Sequence, residues 1–203
     1  MASPSQAPNR QTIKDVAAKL FAKESYGATS LRQIAARVGV TLGTIYHYFP
    51  SKEDLLVELI DDAMAPLVET TAEVDDRLKA SSPGEVLTWM VEKFVLGTLS
   101  RLGTATISDT ELRSLSRKNL NRALAQRDAY QAAMERVVAG GVASGEFQVD
   151  DHKMTVYAIL AACNGIGHWY KPSGRLRPDQ VARVYSRLAL RMCGHRAKGR
   201  SRS

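Results

Sequence analysis

Thr44, His47 and Tyr48 fall at i, i+3 and i+4, so a helix there turns a hydroxyl, an imidazole and a phenol to one side. These are hydrogen-bonding groups, and Gly43 beside them lets the backbone approach a phosphate or base edge closely. Such a face can enter a DNA major groove, where base edges carry a distinct pattern of donors and acceptors. Catalytic arrangements are missing by contrast. The four histidines, at 47, 152, 168 and 195, are scattered, and neither His168 nor Cys163 and Cys193 have metal-ligand spacing. There is no G-x-S-x-G elbow, Walker loop or dinucleotide glycine run. The chain therefore reads as a binding protein without a cofactor; a helical enzyme or scaffold without DNA binding is the alternative of another class.

The elements that must hold this face are helical. Ile13, Val16, Ala17, Leu20 and Phe21 give a first amphipathic helix, with Lys14, Lys19 and Lys23 on its polar side and Gly27 just past its end. Ser30 caps a short second helix whose inward face is Leu31, Ile34, Ala35 and Val38, and Gly39 ends it. Thr41 caps a third. Val40, Ile45 and Phe49 join the apolar set that packs against the first helix; Tyr46 fits either a core or a surface role. The two short helices meeting at Gly39-Val40-Thr41 make a helix-turn-helix.

Beyond it, Ser51 with Asp54 and Ser82 with Glu85 match the capping box, the second supported by Pro83 at the first helical position. Gly103 and Thr104 mark the end of that helix. The periodicity predicts further helices over about 116–144, 151–170 and 178–192, with a turn at Lys171 to Arg175. The expected fold class is all-α: a three-helix head over 1–55, a helical body over 56–193, about nine helices in total, and a disordered basic tail over 194–203.

Charge supports a polyanion at one end. Residues 1–55 carry a net +3 and residues 56–190 a net −1, while 191–203 hold five basic residues and no acidic one. Two cysteines are too few for a disulfide framework, Met1 to Gln11 has no apolar signal core, and the apolar window Met154 to Gly167 falls short of a membrane span. The expectation is a cytoplasmic protein with no membrane partner.

The run Gly39-Val-Thr-Leu-Gly-Thr-Ile-Tyr-His-Tyr-Phe-Pro-Ser-Lys52 resembles the signature of the TetR family of bacterial regulators. The resemblance is strong over about residues 10–60 and rests on helix count and order beyond. It implies a homodimer that grips operator DNA, represses by default, and is released by a small-molecule effector. It assigns base-edge or groove contacts to Arg32, Thr41, Leu42, Gly43, Thr44 and His47, with Leu42 limited to apolar contact such as a thymine methyl. Phosphate contacts fall to Tyr46, Tyr48 and Lys52. The ammonium of Lys52 also suits a phosphate physically, because it lies near the start of the fourth helix.

A single helix-turn-helix touches few base pairs, so the body is expected to dimerise. The last two helices offer a small-residue stripe (Ala158, Ala161, Ala162, Gly165) and an apolar seam (Val181, Val184, Tyr185, Leu188, Met192). Candidate effector-lining residues are Trp89, Met90, Phe94, Leu112, Tyr130, Met134, Asn164 and Trp169, each of which also suits plain core. The segments Thr110 to Leu115, Arg127 to Tyr130, Ala162 to Gly165 and Trp169 to Pro172 are similar to TetR relatives that sense acyl-CoA thioesters in fatty-acid or steroid breakdown. On that resemblance Arg113 and Arg117, at i and i+4, meet CoA phosphates; a solvated basic face accounts for them equally well. A drug or aromatic compound is the alternative effector.

Overall fold

The computed structural model describes residues 9–102, 107 and 110–195, and every regular element among them is helical. The order is α1 (Arg10–Glu24), α2 (Leu31–Val38), α3 (Leu42–Tyr48), α4 (Lys52–Ala80), α5 (Pro83–Ser100), a 3-10 turn (Leu112–Ser114), α6 (Arg117–Ala143), α7 (His152–Asn164), α8 (Ile166–Trp169) and α9 (Pro178–Met192). No helix among the described residues is long and apolar enough to cross a membrane.

Local signals place most boundaries. Asn9 caps α1, its side chain accepting from the Thr12 N–H, and Ser82 with Glu85 forms the expected reciprocal box at the start of α5 (2.9 and 3.3 Å). The Ser51 hydroxyl accepts from the Asp54 N–H at 3.1 Å where α4 begins. Three expectations need correction. First, α1 stops at Glu24, and Ser25 rather than Gly27 takes the positive-φ closing conformation (φ 70, ψ 158). Second, Lys14 is buried: its stem lies in the core and its ammonium pairs with Asp62 at 2.5 Å, so α1 presents only Lys19 and Lys23 as exposed lysines of that face. Third, the helix expected over 151–170 breaks at Gly165, which ends α7 and starts α8; asparagine and glycine in succession are poor helix formers. The helix end expected at Gly103 and Thr104 lies outside the described residues.

The described residues pack as two compact units, those up to 63 with those of 101–123, and those of 64–100 with those from 124 on. This packing differs from the 1–55 and 56–193 division read along the chain. The first unit keeps residues to 63 because Leu55, Leu56, Leu59 and Ile60 bury one face of α4, and Arg10–Glu58 and Lys14–Asp62 ion pairs tie that helix to α1. Segment 101–123 joins it through Arg122, which forks onto both Asp61 oxygens at 2.9 and 2.8 Å.

In the second unit α9 lies along α5, with the Ser186 hydroxyl donating to Glu92 at 3.1 Å. Gly141 admits the Phe147 ring so closely that a Cβ would collide with it. Of the stretch 194–203, Gly194 and His195 are placed: the His195 N–H donates to the Leu190 carbonyl (2.9 Å) and its ring nitrogen lies 3.3 Å from Glu146. Residues 196–203 lie outside the described residues.

Candidate nucleic-acid interface

The first unit builds its outward face from the capping chemistry of two short helices. Ser30 and Gln33 close a full capping box on α2: the Gln33 N–H donates to the Ser30 hydroxyl at 3.3 Å, and the Ser30 N–H to the Gln33 side chain at 2.7 Å. Gly39 ends α2 in the left-handed region (φ 83, ψ 34), which a side chain would strain, and the Gly39 and Val40 N–H groups both donate to the Ala35 carbonyl (2.9 and 3.0 Å). The chain thus reverses within two residues. Thr41 then caps α3, accepting from the Thr44 N–H at 3.2 Å, with the two threonine hydroxyls 3.0 Å apart.

Burial splits α3 as its period requires. Ile34, Ile45 and Phe49 are fully buried and Ala35 nearly so, whereas Gly43 and His47 are exposed and Thr44 and Tyr48 half-buried. The His47 ring meets the Tyr48 ring edge-on at 5.3 Å, so these two side chains sit together on the outer side. Phe49 is core, as its spacing predicts, with the Arg10 guanidinium 4.6 Å over its ring. Tyr46, which fitted either role, is 51% exposed.

The residues read as DNA contacts fall into two groups. Gly43, Thr44, His47 and Tyr48, with Thr41 capping them, share α3. Arg32, Leu42, Tyr46 and Lys52 line a neighbouring groove of about 550 Å³, together with residues 27–31, Pro50 and Ser51. Lys52 has a second role that spacing did not reveal. Its ammonium donates to the Tyr26 and Thr29 carbonyls, both at 2.9 Å, and stands 4.1 Å over the Tyr26 ring. An ammonium has three N–H donors, so two are spent on backbone and one is left.

Two carboxylates extend this frame. Glu111 accepts from the Tyr26 N–H at 3.2 Å, and Glu53 accepts from the Ser116 N–H (2.9 Å) and the Asn119 amide (2.7 Å). Those hydrogen bonds hold the Glu53 carboxyl below the ordinary carboxylate range, so the stability they add is in place at neutral pH and fades as pH falls through the lowered value. Burial, then the charges of Glu53 and Glu111, push the Tyr26 phenol up. Sequence reading passed over Tyr26, Glu53 and Glu111, whose partners lie 63 to 85 residues away or on backbone atoms.

The residues read as effector-lining are not all brought together. Met90, Phe94, Tyr130 and Met134 are buried in the second unit, where the Tyr130 hydroxyl donates to the Met90 carbonyl (3.0 Å) and the Phe94 and Tyr130 rings lie 5.7 Å apart. Trp89 faces elsewhere: the Arg77 guanidinium lies 3.9 Å over its ring, and it lines a cavity of about 340 Å³ with Glu85, Thr88, Glu92, Glu146 and His195. Asn164 is exposed at the end of α7, and Trp169, 49% exposed, stacks on Tyr185 at 6.3 Å. Leu112 is buried, and Arg113 and Arg117 exposed, in the first unit. A residue not foreseen is Gln126, whose side-chain oxygen is buried with no hydrogen-bond partner among the described residues.

Comparison with known proteins matches two stretches of the chain. Residues 13–59 match the model for bacterial regulatory proteins of the tetR family, and residues 80–193 match the tetracyclin repressor-like C-terminal domain. The HTH-type transcriptional repressor KstR2 of Mycolicibacterium smegmatis is 30% identical over 93% of this chain and 92% of its own. The structure of the ketosteroid transcriptional regulator KstR2 of Mycobacterium tuberculosis superposes with a TM-score of 0.83 at 23% identity, over 95% of this chain and 98% of that one. AibR, in complex with isovaleryl coenzyme A and operator DNA, superposes with a TM-score of 0.76 at 23% identity, over 92% and 99%.

Proposed function

We propose, from the premise that the chain belongs to the TetR family of bacterial regulatory proteins, that it is a homodimeric repressor released from its operator by a small molecule, with an acyl-CoA thioester as the first candidate. The chain is a DNA-binding transcriptional regulator. The observation that carries the proposal is the outer side of α3: an exposed imidazole and glycine backbone beside a half-buried hydroxyl and phenol, on a helix fixed from behind by Ile45 and Phe49. Arg32, Leu42, Gly43, Thr44 and His47 face base edges in this reading, with Thr41 beside them as the cap of α3. Tyr46, Tyr48 and the remaining N–H of Lys52 hold phosphates.

Dimerisation falls to α7 and α9. Val156, Ile159 and Cys163 point α7 inward, yet Met154, Tyr157, Ala158 and Ala161, at i, i+3, i+4 and i+7, are all exposed. Leu188 and Met192 of α9 are 40% and 43% exposed, and Met154, Ala158 and Met192 line one groove. An exposed apolar face of two adjacent helices suits a four-helix contact across a two-fold axis.

For the effector, the apolar cluster of Met90, Phe94, Tyr130 and Met134 suits an acyl chain, and the Gln126 oxygen suits a ligand donor. AibR, whose complex holds isovaleryl coenzyme A, supports thioesters as the class to test. Ligand and DNA would weaken each other reciprocally. Titrating a promoter-fragment complex with isovaleryl-CoA, longer acyl-CoAs, the free acids and a set of aromatic compounds tests this. Release by a thioester at micromolar levels and not by its acid is the expected result. Release by an aromatic compound alone would replace the effector assignment and leave the regulator standing.

A further inference from the structure

We infer that the turn between α1 and α2 is a strained joint, and that Glu111 is a positioning residue that holds it in the pose from which the first unit reads DNA. The inference rests on the DNA-binding reading above.

Ser25 has φ 70 and ψ 158, a region that glycine occupies freely and a residue with a Cβ does not. Such a conformation persists only when its surroundings over-determine it. Here they do. The Ser25 N–H donates to the Phe21 carbonyl (3.0 Å), and the Thr29 hydroxyl donates to the Ser25 carbonyl (2.9 Å). The next residue is held from both sides, its N–H by Glu111 and its carbonyl by Lys52, while its ring packs edge-on against Phe21 at 5.2 Å.

Most of these grips come from residues 21–52, in α1, the turn itself and the start of α4. Glu111 comes from 85 residues further along. It is itself fixed, its side chain accepting from the Ser114 hydroxyl (2.9 Å) and its N–H donating to the Ile107 carbonyl (2.9 Å). The same segment is anchored a second time where Glu53, next to Lys52, takes Ser116 and Asn119. It then runs on as α6. Residues 27–31, immediately after the joint, form one wall of the groove that also contains Arg32, Leu42, Tyr46 and Lys52. A displacement of segment 110–119 therefore withdraws the acceptor from Tyr26, lets Ser25 relax to an ordinary conformation, and moves the groove wall. By linkage, whatever favours the displaced segment disfavours DNA.

The test uses the full chain and a duplex selected from a random pool by the wild-type protein. Glu111→Ala should bind that duplex at least tenfold more weakly, with wild-type helicity and thermal midpoint. Glu111→Gln, whose amide oxygen still accepts from the Tyr26 N–H, should stay within threefold of wild type. The informative variant is Ser25→Gly with Glu111→Ala: glycine holds the turn without strain, so binding should return to within threefold of wild type. Glycine at 25 relieves strain in any background, so its repair separates positioning from a merely structural role only because Glu111→Ala is expected to keep the wild-type thermal midpoint. Unaltered binding by Glu111→Ala overturns the inference. So does a loss, in binding or in thermal midpoint, that neither Gln at 111 nor Gly at 25 recovers. If the wild-type protein selects no duplex at all, the DNA-binding reading itself falls and takes the joint with it.

Discussion

A chain carrying Ala161→Glu together with Leu188→Glu is expected to sediment as a monomer and to bind its operator duplex at least a hundredfold more weakly than the parent. Both residues are exposed, one on α7 and one on α9, so neither change disturbs the core made by Val156, Ile159, Cys163, Val181 and Ala189. In a two-fold contact each substitution occurs twice, which puts four carboxylates into a desolvated apolar surface. Each unpaired buried charge costs several kcal/mol, so the four together rival the ~12 kcal/mol that holds a nanomolar dimer. DNA affinity follows because the second head of a dimer binds at an effective concentration of about millimolar once the first is seated, and a monomer loses that gain. Sedimentation velocity and fluorescence anisotropy read the two effects. An intact dimer in the double variant would place the two-fold contact on another surface.

The second large effect is expected from Lys52→Met. Methionine keeps much of the apolar stem and deletes the ammonium, leaving the Tyr26 and Thr29 carbonyls without their donor and the Tyr26 ring without its cation. Charge-assisted hydrogen bonds of this kind are worth about 1.5–3 kcal/mol each, and part-buried carbonyls recover some of that from water, so a loss of about 2–4 kcal/mol in the stability of the first unit is expected. Operator affinity should fall more than tenfold. The salt dependence separates the two roles of Lys52: if its third N–H meets a phosphate, the slope of log K against log salt should shrink by about 0.9 in the variant. A weakened complex with an unchanged slope would mean that Lys52 acts only by holding the turn. An unchanged thermal midpoint would contradict the clamp.

Where the chain's signals are local, the fold was legible before any coordinates. Ser30, Gly39 and Thr41 bracket α2 and α3 because caps and left-handed glycines act within three residues. The periodicity over 178–192 coincides with α9, and that over 116–144 with α6 to within a residue at each end. What escaped depends on distant partners. Gly27 looked like the end of α1 because glycine is the usual occupant of positive φ, yet contacts from Phe21, Thr29, Lys52 and Glu111 impose that conformation around Ser25 instead. Lys14 looked solvated because Asp62, which neutralises it, lies three turns into another helix.

The candidate interface was legible in its α3 face and not in the framework behind it. Thr44, His47 and Tyr48 follow from helical spacing alone. Lys52 was assigned to phosphate by resemblance, and its hold on two backbone carbonyls has no signature in residue types. The effector residues were the least legible, since choosing apolar bulk cannot separate the buried cluster at Tyr130 from Trp89, which lines a different cavity under Arg77.

Whether the first unit grips duplex DNA through α3 is decided by the affinity of the full chain for a selected duplex across a salt series, with Thr44→Ala/His47→Ala alongside. Tight binding by the wild type that weakens steeply with salt is the expected result. The double variant should keep the salt slope but lose preference for the selected duplex over a scrambled one, about 1–3 kcal/mol for each specific base contact removed. Equal affinity of the wild type for selected and scrambled duplexes, or binding indifferent to salt, would rule out a grip on DNA through α3.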